Sequence, residues 1–243
     1  MEVPFLAKRK TLSFLLYYFL IVGTLVSLTF VSNKATTVVA NKIPLRRNHT
    51  IIVDAGHGGE DGGAISCTGV LESSINLEIA ARLNDLAKFL GFQTKMIRSS
   101  DVSVYTEGKT IAQKKVSDLK NRISLVNQTE NAVLVSIHQN TFSDSQYSGG
   151  QVFYCSNEKS RQLAEQVQTA ICQSINKGSN RKCKPAEGVY LMQHVTCTGI
   201  LVECGFLSNA EEEAKLRNEE YQKKVACVIA SSVCKFLDRE SEH

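Results

Sequence analysis

Short runs of apolar, mostly β-branched residues alternate with long amphipathic segments through most of this chain. Parallel strands need long crossover connections, which are usually helical. The alternation therefore predicts an α/β fold: a single three-layer domain with a mostly parallel twisted sheet flanked by helices on both faces. The pattern predicts strands at 51–54, 93–97, 132–137, 150–155, 189–192 and 199–203, and helices at 72–90, 118–128, 158–175, 210–217 and 221–237.

The segment at 99–117 departs from this alternation because it is polar and aperiodic. We interpret it as a long loop that flanks a cleft at the edge of the sheet. Asp118 would then cap the helix that follows the loop.

The N-terminus predicts a targeting segment that comprises residues 1–34. Three basic residues at 8–10 precede residues 12–31, about 20 residues without a charge, which is long enough to cross a bilayer as a helix. The segment is either a membrane anchor or a signal peptide, for which residues 38–40 offer a small-residue cleavage site. In both cases the rest of the chain is exported. This exported part consists of a linker at 35–49 and a folded domain at 50–238.

Composition excludes one class of partner and bounds the role of the cysteines. A net charge of +4, no tryptophan and no basic stripe interleaved with aromatic residues argue against nucleic-acid binding. The eight cysteines form no C-x-x-C pair, and a domain of this size does not need disulfides, so we expect buried free thiols. Cys227 and Cys234 should share one apolar helix face, and Cys172 with Cys183 is a candidate bridge.

Residues that bind metals or move protons follow three of the predicted strands. His57 follows the first strand, His138 the third, and Glu203 ends the last one, while Glu72 opens the first helix. Because ligands bind at the carboxyl ends of strands in open α/β sheets, these side chains can meet in one cleft. Two imidazoles and two carboxylates meeting there suggest a hydrolytic zinc site.

Spacing excludes two other sites that a glycine-rich turn can form. Residues 54–63 follow a strand, as phosphate-binding loops do, but the third glycine of that motif would fall at Asp61. The chain also lacks the G-x-S-x-G motif of α/β-hydrolases. The glycines instead let the backbone turn so that His57 faces the cleft. Glu203, at the end of an apolar strand, must either have a partner there or bear the high cost of burying a carboxylate.

Five segments, in their order along the chain, resemble the zinc-dependent N-acetylmuramoyl-L-alanine amidases of bacterial cell walls: IIVDAGHGGEDGGA, LESSINLEIA, DLKNRISLVNQ, LVSIHQNTF and GILVECGFLSN. The resemblance covers residues 51–237. The layout of one bare domain behind a hydrophobic segment is similar to that of the germination-specific members, which prepare spore cortex peptidoglycan for muramic-δ-lactam formation.

The resemblance implies that His57, Glu72 and His138 bind one Zn²⁺ ion and that Glu203 is the catalytic carboxylate. It implies cleavage of the amide bond between N-acetylmuramic acid and L-alanine in peptidoglycan. The site of action would be extracytoplasmic, in the spore cortex or the cell-wall space. Membrane attachment and an accessory activator protein are further partners that the resemblance allows.

Four neighbouring positions carry further expectations. Arg122 and Asn127 match the family's helix before the second histidine and would be structural or rim residues. Asn140 would contact substrate or orient a loop. Gln139 stands where the family more often has a small residue, so we expect it to narrow the cleft.

Two other functions remain open. The same three ligands and glutamate would serve a zinc peptidase that cuts within the stem peptide. Outside enzymes, the alternative is a wall-binding scaffold that has kept the fold and lost catalysis.

Overall fold

The computed structural model describes residues 17–24, 26–27 and 48–240. The chain forms two compact units, residues 1–46 and 47–243. Within the described residues, no helix has the length and apolarity that crossing a membrane requires. Most of the predicted targeting segment and most of the predicted linker lie outside the described residues, so both stay predictions.

The central sheet contains six strands in the order β2-β1-β3-β6-β4-β5. They are β1 (Thr50–Ala55), β2 (Gln93–Met96), β3 (Ala132–Asn140), β4 (Gln151–Tyr154), β5 (Lys184–Pro185) and β6 (Thr198–Phe206). Strands β1, β2, β3 and β6 run parallel, β4 is antiparallel to β6, and β5 runs parallel to β4. The predicted mostly parallel sheet is confirmed, and the two-residue β5 is an addition to it.

Helices connect the strands and cover both faces of the sheet. From residue 48 onward they are α1 (Glu72–Phe89), α2 (Ile111–Asn127), α3 (Glu158–Ser174), α4 (Tyr190–His194), α5 (Ala210–Leu216) and α6 (Glu219–Glu240). Side chains of the central strands alternate between two cores. Ile51 and Val53 pack on the side of α1, α3 and α6, whereas Ile52 packs on the side of α2 and α4. The predicted three-layer α/β domain is confirmed.

Helix α2 begins earlier than the sequence pattern indicates. The Thr110 hydroxyl accepts a hydrogen bond from the backbone N–H of Gln113 at 3.2 Å, and the Gln113 side chain accepts one from the backbone N–H of Thr110 at 3.3 Å. This reciprocal capping box fixes the first turn of the helix. The predicted loop at 99–117 therefore ends at Thr110. Asp118 lies inside the helix, where its carboxylate accepts a hydrogen bond from Arg122, so its prediction as a cap was wrong.

The predicted strand at 189–192 was wrong, because these residues enter helix α4. Val189 and Tyr190 favour a strand by local propensity alone. In the fold, however, Leu191 and Met192 are both buried in the core that lies between the sheet and α2. One helical turn places the two side chains in that core, and this packing outweighs the local preference.

All eight cysteines are free thiols, three of them fully buried. The predicted bridge between Cys172 and Cys183 was wrong, and the Cys172 thiol instead donates to the carbonyl oxygen of Arg181 at 3.7 Å. Cys234 is buried on α6, but Cys227 is exposed, so they do not share one apolar face.

A buried ion pair joins α2 to the carboxyl end of β1. Arg122 donates from Nη1 to Asp54 Oδ1 at 2.5 Å and to the carbonyl oxygen of Ala55 at 3.0 Å. The Ser136 hydroxyl on β3 donates to the other carboxylate oxygen of Asp54 at 2.6 Å. Burial raises the pKa of Asp54, but the Arg122 charge and the Ser136 hydroxyl outweigh it and hold that pKa below its ordinary value. The pair thus fixes the end of β1 against α2 and β3.

Replacing Asp54 by asparagine should lower the free energy of unfolding of the full chain by about 3 kcal/mol, because it leaves the buried Arg122 charge short of a partner. Urea denaturation followed by circular dichroism measures the change. Glu187→Gln, at an exposed position, is the matched control and should change the free energy of unfolding by less than about 0.5 kcal/mol.

The difference between wild type and Asp54→Asn should also depend on pH. Because the pKa of Asp54 is depressed in the folded state, its stabilisation is complete above the unfolded pKa of about 3.9 and is lost as the pH falls through the folded value. The advantage of wild type should therefore shrink below about pH 4. An advantage that stays constant throughout the acid range would contradict this role of Asp54.

Candidate metal centre

Three of the predicted site residues meet at the carboxyl edge of the sheet: His57, Glu72 and His138. Their ligand atoms all lie within 4.8 Å of one another. His57 Nε2 is 3.3 Å from Glu72 Oε2, and His138 Nδ1 is 3.0 Å from Glu72 Oε1. Both imidazole side chains are 19% exposed and the carboxylate 5%, so solvent reaches the group along its histidines.

The glycine-rich turn after β1 bends His57 into this position. His57 has a φ of +60°, in the left-handed region that non-glycine residues seldom adopt. The backbone N–H of Gly58 donates to the carbonyl oxygen of Asp61 at 2.8 Å, and that of Asp61 donates back to Gly58 at 3.3 Å, which closes a tight turn. A Cβ on Gly63 would lie 2.5 Å from Glu72 Oε2, so this position has no room for a side chain. The predicted role of the glycines is confirmed.

The same turn brings Asp61 beside His57. Asp61 Oδ2 lies 2.9 Å from His57 Nδ1 and 3.1 Å from Lys115 Nζ. Burial lowers the pKa of His57, but the hydrogen bonds to Asp61 and Glu72 outweigh it and raise that pKa to about 9. The hydrogen bond with His57 in turn holds the pKa of Asp61 well below its ordinary value. Asp61 thus accepts a hydrogen bond from Nδ1–H of His57 and leaves Nε2 directed at Glu72.

Glu72 opens α1 and is held as an anion. Its Oε2 accepts a hydrogen bond from the backbone N–H of Ala64 at 2.9 Å. Its Oε1 accepts one from the backbone N–H of Gln139 and one from the side chain of Asn76, each at 3.1 Å. Burial raises the pKa of Glu72, but its hydrogen bonds with the two imidazoles outweigh it and hold that pKa far below its ordinary value. A fixed anionic carboxylate is suited to binding a metal ion.

Glu203 lies directly beside His138, because the two residues are register partners on β6 and β3. The side chain is half-buried, and its Oε2 accepts no hydrogen bond from any residue in the part of the chain that the structure describes. Burial raises the pKa of this carboxyl to about 7, and the charge of His138 offsets only part of that effect. The energetic cost of burying the Glu203 carboxylate, which the sequence predicts, therefore appears as a raised pKa. Such a group can accept and release a proton near neutral pH.

Arg122 and Asn127 are structural residues, one of the two roles predicted for them. The Arg122 guanidinium donates to the carbonyl oxygen of His57 at 2.8 Å and so stabilises the strained turn. The Asn127 side chain donates to the carbonyl oxygen of His194 and accepts from the backbone N–H of Thr196, each at 3.0 Å. These two bonds tie the end of α2 to the segment after α4.

Gln139 does not narrow the cleft, contrary to the prediction. It is 3% exposed, and its side-chain amide donates to Asn76 in the interior at 3.1 Å. The carbonyl oxygen of Asn140 accepts from the backbone N–H of Leu207 at 2.8 Å, which agrees with a loop-orienting role. A contact between Asn140 and substrate stays a prediction.

Two residues that support the site were missed in the sequence. Arg98 lies two residues after the end of β2 and is buried, and it donates to the carbonyl oxygens of Ala55, Gly56 and Ser73 at 2.8 to 3.0 Å. Asn76 donates to Gly56 at 3.2 Å from one turn into α1. Both carried a signal, since Arg98 is a charged residue after a strand and Asn76 is a polar residue on an apolar helix face.

These side chains fit a divalent metal ion. Two imidazole nitrogens and one carboxylate form a donor set found in catalytic zinc sites. A Cβ on Gly56 would overlap the His138 ring, so the backbone is shaped around this imidazole. The unpartnered oxygen of Glu203 provides a proton acceptor beside the donor set. The arrangement is chemically competent for metal-assisted hydrolysis.

A known enzyme family matches most of this chain. The family model for N-acetylmuramoyl-L-alanine amidase matches residues 51–235. The germination-specific N-acetylmuramoyl-L-alanine amidase of Bacillus subtilis is 36% identical over 197 residues, which cover 79% of this chain and 81% of that protein.

Solved structures of two relatives share the fold. The CwlD amidase from Clostridioides difficile, in complex with the GerS lipoprotein, matches with a TM-score of 0.76 and 38% identity, covering 79% of this chain and 100% of that one. An N-acetylmuramoyl-L-alanine amidase from Clostridium difficile 630 matches with a TM-score of 0.69 and 31% identity, covering 79% and 98%. The resemblance found in the sequence is confirmed, and this chain belongs to the N-acetylmuramoyl-L-alanine amidase family of enzymes.

Proposed function

We propose that this chain is a zinc-dependent hydrolase that cleaves the amide bond between the lactyl group of N-acetylmuramic acid and L-alanine in peptidoglycan. Family membership supports this amide bond as the one that is cleaved and peptidoglycan as the substrate. One observation carries the mechanism: Glu203, whose Oε2 has no hydrogen-bond partner among the described residues, lies beside a group of two histidines and a carboxylate that can bind a metal.

In this proposal His57, Glu72 and His138 hold the zinc ion. Three protein ligands leave room at the metal for water or substrate, as a catalytic site requires. Bound there, zinc would supply Lewis-acid chemistry for the scissile carbonyl group and would make water more acidic, with a pKa of about 7. By accepting a hydrogen bond from Nδ1–H of His57, Asp61 would orient the ring so that Nε2 binds zinc, and the ion would displace the Nε2 proton.

Glu203 is the proton carrier in this proposal. Its pKa of about 7 means that Oε2 can take a proton from the attacking water and then give it to the amine of L-alanine as the amide bond breaks. A carboxyl with an ordinary pKa would hold that proton too weakly to return it near neutral pH. Burial keeps this pKa high, and no donor within the described residues lowers it by a hydrogen bond to Oε2.

The biological setting is proposed from the relatives. Similarity to the germination-specific amidase of Bacillus subtilis supports a role in the spore cortex, in muramic-δ-lactam formation and germination. Because this substrate is extracytoplasmic, we propose that the chain is exported by its N-terminal segment, which either stays as an anchor or is cleaved. The complex of the CwlD amidase with the GerS lipoprotein supports an accessory protein partner for this chain as well.

Digestion of muropeptides by the zinc-loaded full chain tests the reaction. Mass spectrometry should detect an intact stem peptide that begins with L-alanine, together with peptide-free N-acetylmuramic acid. A shortened peptide still attached to the sugar would identify a peptidase instead. Unchanged muropeptides, with no zinc found by metal analysis, would favour a non-catalytic scaffold.

Glu203→Gln should separate catalysis from metal binding. Because the carboxyl is the proton carrier and not a ligand, the variant should keep its zinc while kcat falls by about 10²- to 10⁴-fold. Metal analysis and muropeptide turnover measure the two properties on the same sample. Glu211→Gln, an exposed carboxylate on α5, is the control and should change neither. A Glu203→Gln protein with most of its turnover would exclude this role.

Asp61→Asn should weaken zinc binding although Asp61 is not a ligand. Losing the carboxylate that orients His57 should raise the zinc dissociation constant by about 10- to 100-fold. Competition with a chromogenic chelator measures it without turnover. Glu60→Gln is the matched control, since this neighbouring carboxylate pairs with Lys114 and not with a histidine. Equal zinc affinity in both variants would show that Asp61 does not position His57.

A further inference from the structure

Two exposed aromatic side chains lie together in the segment that follows β3. Phe142 is 53% exposed and Tyr147 is 45% exposed. Their ring centroids are 4.8 Å apart, with an angle of 74° between the ring planes. Exposed aromatic rings that touch one another form a larger apolar surface than isolated ones, and such surfaces mark binding sites more often than single exposed residues do. We call this pair, with Phe206 beneath it, the aromatic platform.

The aromatic platform is supported from below. Tyr147 stacks on Phe206, with ring centroids 6.2 Å apart and an angle of 30° between the planes, and Phe206 is only 5% exposed. The Arg181 guanidinium lies 5.5 Å from the centroid of Phe206 and also donates to the carbonyl oxygen of Ser148 at 2.7 Å. The exposed rings therefore rest on a packed base, which lowers the entropic cost of binding a ligand on them.

Phe206 of the platform lies on β6, the strand that carries Glu203, and Phe142 lies two residues after the end of β3, the strand that carries His138. His138 and Glu203 are register partners, and the next paired residues toward the carboxyl ends of these strands, beyond a register shift, are Asn140 and Phe206. Phe142 follows His138 by four residues, so their Cα atoms are at most about 14 Å apart. A substrate whose amide bond reaches Glu203 has its neighbouring groups within range of the platform.

We propose that the aromatic platform binds the pyranose ring of N-acetylmuramic acid next to the scissile amide bond. This proposal rests on the proposed function, because that bond joins the sugar's lactyl group to the stem peptide. A pyranose presents a face of C–H groups with slight positive charge, and the face of an aromatic ring is negative. The platform therefore offers apolar contact and electrostatic attraction to a sugar ring, whereas the stem peptide begins with the small side chain of L-alanine.

Binding of two matched ligands tests the proposal. One is a disaccharide tripeptide, N-acetylglucosaminyl-N-acetylmuramoyl-tripeptide, and the other is the same tripeptide carrying only the lactyl group. Both contain the amide bond, and only the first contains a sugar. In the zinc-loaded full chain the Glu203→Gln substitution should slow hydrolysis by about 10²- to 10⁴-fold, so calorimetry can give both dissociation constants before the ligands are cleaved. We expect the sugar-containing ligand to bind more tightly.

Phe142→Ala and Tyr147→Ala, each made in that background, should reduce this preference for the disaccharide by about three- to tenfold and leave the affinity for the lactyl peptide unchanged. Phe142→Tyr should keep the parent protein's preference for the disaccharide, because the contact with the sugar needs only an aromatic face. Phe89→Ala is the control: this aromatic residue is 81% exposed but lies at the far end of α1, about 26 Å along the helix from Glu72.

Each other outcome overturns the proposal. No preference for the disaccharide in the parent protein, or no binding of either ligand, shows that the sugar is not recognised. A preference that survives both alanine substitutions shows that the rings do not recognise it and would assign the platform to a protein partner. The proposed function is tested separately, because release of the tripeptide from muropeptides by the wild-type chain does not depend on the ratio of the two dissociation constants.

Discussion

Arg122 fixes the carboxyl end of β1, and the candidate metal centre depends on where that strand ends. One guanidinium joins Asp54 in the strand to the carbonyl oxygen of His57 in the turn after it. Because Asp54 also accepts a hydrogen bond from Ser136, the ends of β1 and β3 are fixed relative to each other. His57 lies in the turn after β1, and His138 lies close to the carboxyl end of β3. The left-handed conformation of His57 costs about 1–2 kcal/mol, and it persists because buried hydrogen bonds on the strand side hold the turn in place.

Two glutamates at this site have opposite environments, and this difference separates their roles. Glu72 accepts hydrogen bonds from backbone and side-chain donors and lies against two imidazoles, so it stays anionic and is suited to hold a cation. Glu203 has a buried oxygen without a donor among the described residues, so its pKa rises to about 7. Pairs of titratable groups whose environments push their pKa values apart mark acid–base assignments in enzymes. Residue patterns alone allowed either glutamate to be a ligand, and only the family resemblance divided them.

The strand ends could be predicted from the sequence because they follow from a simple rule of sheet geometry. Apolar β-branched runs located His57, His138 and Glu203 at one edge of a parallel sheet, and the structure places them there. The rule fails where tertiary packing decides the conformation, as at 189–192. It also fails where polar residues hide a helix: the first two turns of α2 carry lysines and glutamine, so their periodicity is weak, and the capping pair at Thr110 was the better signal.

What the sequence could not supply is the position of groups that loops bring together. Asp61 follows His57 by four residues, a spacing that implies contact on a helix but implies nothing in a loop. The contact exists because Gly58 and Asp61 close a tight turn. Phe142 and Tyr147 likewise meet only through the path of their loop. The chemistry of this site therefore lies on strand ends, where a pattern can find it, whereas the orientation of the ligands lies in loops and requires coordinates.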